Sequence, residues 1–193
     1  MIIDACSGSG AWSKPFRDAG CKVLEVDIKN GIDIRLLEYL SEPVEGILAA
    51  PPCTHLSGSG ARWWEEKGET ALLESLSIVD ACLRLVLIYK PRWWALENPV
   101  GRLVRYLGKP RMYFHPYEYA MWADNPGDEA YSKKTCLWGN FNIPEKNPVE
   151  CTSQKIWRMA PSPDRSELRS ITPSGFARAF FQANAEFTNK EGS

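Results

Sequence analysis

Short apolar runs, each ending in small or turn-forming residues, alternate with glycine-bearing polar stretches through the first hundred residues of this chain. Residues 2–5 (Ile-Ile-Asp-Ala) predict a short buried strand. The glycine-rich turn 6–12 follows, and then a helix over 13–19 closed by Gly20. A second strand is expected over 22–27, closing on Asp27, and a third over 46–50, stopped by Pro51 and Pro52, which cannot continue a hydrogen-bonded ladder. Leu72, Leu76, Val79, Leu83 and Val86 recur at helical spacing and predict a long helix over 69–90, with Pro91 beyond it. Residues 92–99 then predict a buried strand ending in Glu97-Asn98-Pro99, with a helix over 101–107. The aromatic stretch 112–128 shows no clear period, 131–139 reads as a basic turn entering a strand, and 144–170 reads as a polar loop. A last helix is expected with Thr172 as N-cap and Pro173 at its first position, and a frayed tail after Thr188. Strands alternating with helices imply an α/β fold with a single sheet flanked by helices.

A chain of 193 residues is one domain's length, with 44% hydrophobic and 24% charged residues. It has no apolar run of ~18 residues, so no transmembrane helix is expected. Because the N-terminus enters a strand directly, there is no room for a signal peptide, and a cytoplasmic location is expected. The six cysteines are widely spaced without a C-x-x-C pair, which favours free thiols over a disulfide framework. With only His55 and His115 available, no metal site is expected. The net charge of −1 conceals an uneven distribution. Residues 84–111 carry seven bases against one acid, whereas the first fifty carry eight acids against five bases. Such a polarised surface can meet an anionic partner, although any one of these bases could equally be a solvated surface residue.

Two stretches carry chemistry. Gly8-x-Gly10 directly after the first strand, with Asp27 closing the second, has the arrangement of a nucleoside-binding unit. The glycines admit a ligand close to the backbone, and the carboxylate can accept from both ribose hydroxyls. The third glycine of a dinucleotide fingerprint and the G-K-S/T of a P-loop are both missing, which favours a ligand without a pyrophosphate, such as S-adenosylmethionine. Cys53, just past the end of the third strand and beside the Gly/Ser loop 56–60, is a candidate nucleophile or else a small buried hydrophobe. Glu97 ends a later apolar strand, where a purely structural role does not account for a carboxylate.

In the order Asp4-Ala5-Cys6-Ser7-Gly8-Ser9-Gly10, Asp27, Pro51-Pro52-Cys53, Glu97-Asn98-Pro99 and Thr172-Pro173-Ser174-Gly175, the chain resembles the DNA (cytosine-5) methyltransferase family, most closely its short phage-encoded members. The resemblance spans nearly the whole chain. It implies a Rossmann-like, S-adenosylmethionine-dependent catalytic domain over 1–193, working in the cytoplasm of a bacterial or phage-infected cell. It implies Cys53 as the nucleophile at cytosine C6 and Glu97 as the group holding the base edge. Asp4, Cys6, Gly8, Gly10, Trp12, Asp27, Ile28, Asp33, Ile34, Pro51 and Ser174 would line the cofactor. The substrate would be a cytosine flipped out of DNA, with the loop 57–61 closing over it.

The chain departs from the family pattern in three places. Thr54 and His55 stand where a glutamine is usual. Lys133-Lys134-Thr135 replaces an arginine-rich strand, with Lys134 the expected basic contact. Residues 143–167 are a reduced remnant of the target-recognition region. That leaves room for a separate specificity partner, for a free cytosine nucleotide as substrate, for transfer of a modified group, or for a catalytically weak nucleic-acid-binding module.

Overall fold

The structure, a computed structural model, describes residues 1–152 and 165–185. These form a mixed sheet of six strands in the order β2-β1-β3-β4-β6-β5. The strands are β1 (Ile2–Ala5), β2 (Val23–Val26), β3 (Gly46–Ala49), β4 (Trp93–Pro99), β5 (Met112–Phe114) and β6 (Thr135–Asn140). The first four run parallel, and β6 enters antiparallel between β4 and β5. The parallel strands are in step, so that Ala5 sits beside Val26 and Ala49, and Ala49 beside Leu96. Their carboxyl ends therefore lie along one edge.

Successive residues of each strand point to opposite faces, and both faces are apolar. Ile3, Ile47 and Leu96 join Val79, Cys82 and Leu85 of α2 (Trp64–Tyr89) in one core. Ile2, Leu48 and Ala95 join a second core on the other face. There Phe16 of α1 (Lys14–Asp18) stacks on Trp93, and Phe176 of α5 (Ser174–Asn184) stacks on Phe114. Two shorter helices, α3 (Val104–Leu107) and α4 (Arg165–Ser170), complete the helical elements among the described residues.

The expected strands and the helices after residues 13 and 69 are all present, with differences at their ends. Helix α2 begins five residues before the expected position, but Gly68 (φ 70°, ψ −174°) interrupts it, so its regular part starts where the periodicity does. Helix α5 starts at Ser174, and Thr172 makes no cap. Instead the buried Glu129 carboxylate, 45 residues away, accepts from Ser174 N (2.6 Å), Ser174 Oγ (2.7 Å) and Gly175 N (3.0 Å). A negative charge on unpaired N–H groups at a helix start is favourable for both hydrogen bonding and the helix dipole. The unassigned stretch 112–128 holds β5 and two 3-10 turns, Pro116–Trp122 and Pro126–Glu129. Of the polar stretch 144–170, residues 145–152 run along these turns, with Asn147 N to Glu118 O at 3.0 Å and Val149 N to Tyr117 O at 3.0 Å. Residues 153–164 of that stretch, and the tail after Thr188, lie outside the described residues.

Gly46 opens β3 against the fully buried Trp93 indole, and a Cβ there would come within 2.1 Å of the ring. Gly46→Ala should therefore destabilise the fold by about 1–3 kcal/mol, the usual cost of overpacking a rigid core. Chemical denaturation should show this as a lower midpoint with an unchanged slope.

Candidate functional site at the carboxyl edge of the sheet

The turn after β1 is held open by backbone conformation. Cys6 (φ 59°), Gly8 (φ 56°) and Gly10 (φ 66°) all adopt left-handed geometry. Gly8 N donates to Asp27 Oδ2 at 2.8 Å, which ties the turn to the end of β2. The other oxygen of Asp27 accepts from Lys29 N at 2.9 Å, leaving lone pairs on both for a further donor. A Cβ built on Gly8 would meet nothing within 4 Å, so there is open space beside the turn. Ile28, next to Asp27, is 75% exposed, an unusual placement for a large aliphatic side chain beside such a space.

Beneath the turn lies a buried polar network. Asp4 is 1% exposed and accepts from Ser13 Oγ, which also accepts from Arg17 Nη1 at 2.6 Å. Arg17 pairs with Glu25 and donates to Gly10 O at 3.0 Å. Burial pushes the Asp4 carboxyl up to about 7, against the smaller opposing pull of the Ser13 hydrogen bond.

The second half of the site follows β3 and β4. Burial raises the Cys53 thiol and the Glu97 charge raises it further, while Lys133 and Arg169 pull it down. Burial raises Glu97 as well, again opposed by Lys133. Cys53 and Glu97 thus share one electrostatic environment, with Lys133 as the cation facing both. Lys134 lies elsewhere: it is exposed, with its Nζ 4.7 Å from the Tyr113 ring centroid. Its neighbour Lys133, which the sequence pattern did not single out, is the lysine that acts on both Cys53 and Glu97. The alternation of side chains approaching β6 is the signal that separates the two, but it cannot be used until the start of that strand is known.

Several other expected residues have engagements of their own. Trp12 is 2% exposed and packs on Phe176 and Phe180, so it belongs to the core beneath the turn. Ile34 is likewise buried in the α2-side core. Asp33 caps its own 3-10 turn and pairs with Arg35, which lowers its carboxyl below the ordinary range. Cys6 is partly buried and its free thiol shares a hydrogen bond with that of Cys82, which together with burial raises the Cys82 thiol. Pro51 is buried, and its carbonyl accepts from Asn98 Nδ2 at 2.9 Å. Ser174 is held by Glu129. Helix α4 links the two halves of the edge: Glu167 pairs with Lys29 at 2.7 Å, and Arg169 acts on Cys53. Among the described residues no group of His, Cys, Asp and Glu could hold a metal ion, and no helix is long and apolar enough to cross a membrane.

No family model and no curated protein matches the chain. Among solved structures it is similar to a protein provisionally assigned as a DNA modification methyltransferase encoded within an E. coli prophage, at 18% identity and a TM-score of 0.48. The match covers 83% of this chain and 55% of that one, so this chain spans about half the length of that neighbour.

The raised Asp4 carboxyl gives folding a defined pH dependence. A carboxyl that holds its proton more tightly folded than unfolded makes stability fall as pH rises from about 4 to about 7, and the loss is complete above that. The gap between 3.8 and about 7 corresponds to about 4 kcal/mol, at 1.36 kcal/mol per tenfold in proton affinity. Asp4→Asn should therefore melt higher than the wild type at pH 8, with the difference shrinking as pH drops towards 4. Equal pH dependence of the two melting curves would disprove the assignment.

Proposed function

We propose that the chain is an S-adenosylmethionine-dependent methyltransferase that acts on C5 of cytosine in DNA, using a Rossmann-like domain. The observation carrying this reading is that Cys53, past the end of β3, and Glu97, in β4 one residue beyond the Ala49–Leu96 pair, act on one another, with Lys133 acting on both. The Gly8–Asp27 tie stands on the same edge. The open space beside Gly8, the free lone pairs of Asp27 and the exposed Ile28 fit a nucleoside, and these three residues would hold the cofactor. Asp4 would act from beneath, by fixing the turn through Ser13. When bound, S-adenosylmethionine supplies an electrophilic methyl group.

The chain's own groups supply the rest. Cytosine C5 is a poor nucleophile until a thiolate adds at C6. Cys53 Sγ forms that bond as its proton leaves to solvent, and the displaced electron pair moves towards N3. Burial raises the Glu97 carboxyl and so favours its protonated form, from which it would donate to N3 and stabilise that charge. Lys133 offsets the negative charge developing between the two. After methylation, loss of the C5 proton to a solvent base expels the Cys53 thiolate, N3 returns its proton to Glu97, and the ring is restored. A base stacked in a duplex must leave the stack to reach such a site.

A second reading, methylation of a free cytosine nucleotide, is favoured by one feature. Among the described residues, 145–152 form no separate lobe for reading DNA but lie flat on the 3-10 turns.

Mass spectrometry of DNA incubated with S-adenosylmethionine should detect 5-methylcytosine. Cys53→Ser should abolish it while cofactor binding persists. A dCMP arm separates the two readings, and product in neither arm would refute both. Lys133→Ala should lower kcat by about tenfold or more, the scale expected for a group that stabilises developing charge. Lys134→Ala should lower it much less.

A further inference from the structure

The loop carrying Cys53 is docked on the segment that follows Glu97, and the docking is concentrated at Arg102. Arg102 N donates to Leu56 O at 2.9 Å, and Arg102 Nε donates to His55 O at 2.8 Å. The guanidinium lies over the Trp64 ring, 4.6 Å from its centroid. Beside it, a Cβ on Gly101 would come within 1.9 Å of Leu56 O, so only glycine permits the approach. Gly58 N closes the contact on Val100 O at 2.9 Å. On the loop's inner side, Leu56 N and Ser57 N both donate to Cys53 O, at 2.9 and 2.8 Å. A short hydrogen-bonded path thus runs from the Arg102 guanidinium through residues 55–57 to the backbone of Cys53.

This arrangement is poorly suited to stabilising the fold. Arg102 Nη2, Trp64 Nε1 and His55 Nδ1 are all buried, and among the described residues none has a hydrogen-bond partner. Leaving polar groups unsatisfied in the interior is unfavourable, and for a charged group more so. What the contact does achieve is a fixed path for residues 54–58.

We infer that Arg102 is a positioning residue for the nucleophile loop, holding Cys53 in its partly buried orientation beside Glu97 by clamping His55 and Leu56 against Trp64. The inference rests on the reading of Cys53 as the nucleophile. It predicts an unusual pair of effects. Releasing the clamp exposes the partly buried Cys53 further, so a small alkylating reagent reaches it faster, while methyl transfer, which needs the held geometry, becomes slower.

The test is iodoacetamide alkylation of the intact protein, followed peptide by peptide at Cys53, Cys82 and Cys136, with melting temperature and S-adenosylmethionine affinity measured in parallel. Arg102→Ala should speed alkylation of Cys53 about tenfold, the scale of one lost charge-assisted hydrogen bond. The fully buried Cys82 and Cys136 should remain unchanged. Its kcat for methyl transfer should fall by a similar factor with cofactor affinity intact. Arg102→Lys, which keeps the charge but lacks the Nε donor and the planar stacking surface, should fall between. Trp64→Ala should reproduce Arg102→Ala. Unchanged Cys53 alkylation in Arg102→Ala would overturn the inference. So would equal acceleration at all three cysteines in both Arg102 variants, since that marks general loosening of the fold. If the wild-type protein transfers no methyl group, the nucleophile reading fails, and the alkylation ratio still decides whether Arg102 governs the loop.

Discussion

Burial on both faces constrains the four parallel strands more than any other feature. Strands β1, β2 and β3 are only four residues long, and alternate residues of β1 and β3 are committed to one apolar core or the other. Little room remains within these strands for a polar group. Asp4 of β1 and Glu25 of β2 are the exceptions, and the proton affinity of Asp4 reflects its desolvation. Groups that must meet solvent or ligand are therefore displaced to the strand ends, and the parallel register gathers those ends on one side. The glycine turn, Asp27, Cys53 and Glu97 are neighbours because the sheet allows them few other positions.

The same constraint made this edge legible in the sequence. Short apolar runs ending in Gly-x-Gly, Asp, Pro-Pro-Cys and Glu-Asn-Pro are strand ends, and the structure has strands ending at or within a few residues of each. Two kinds of feature were not legible. One is contacts between residues far apart in sequence: Thr172 and Pro173 read as a local cap, but the start of α5 is satisfied by Glu129, which no local pattern can reveal. The other is irregular structure, because 112–128 takes its shape from 3-10 turns that have no hydrophobic period to detect. Lys133 and Lys134 illustrate a finer limit. Adjacent residues near a strand point apart, so an error of one residue in placing the strand exchanges the lysine that faces the site for the one that rests on Tyr113.

The two halves of the edge are held by different means. On the nucleoside-like side, the turn is fixed from below by charged side chains, Asp4, Arg17 and Glu25, that contact one another more than the space above. On the thiol side, the loop is fixed laterally by main-chain hydrogen bonds to the segment after β4. The first arrangement suits a surface that must keep one shape. The second keeps one register because Gly101 admits Leu56 O and the Arg102 side chain reaches His55 O.

The break at Gly68 gives that difference an evolutionary meaning. Trp64 lies on the loop side of the break, while the α2 residues that fill the core, Val79, Cys82 and Leu85, lie beyond it. Of the positions between Cys53 and Gly68, Leu56 is fully buried in the same core as those helix residues, while most of the others lie at the surface, where change in composition disturbs the long helix least. A chain organised this way can vary its rim while its interior sequence stays fixed.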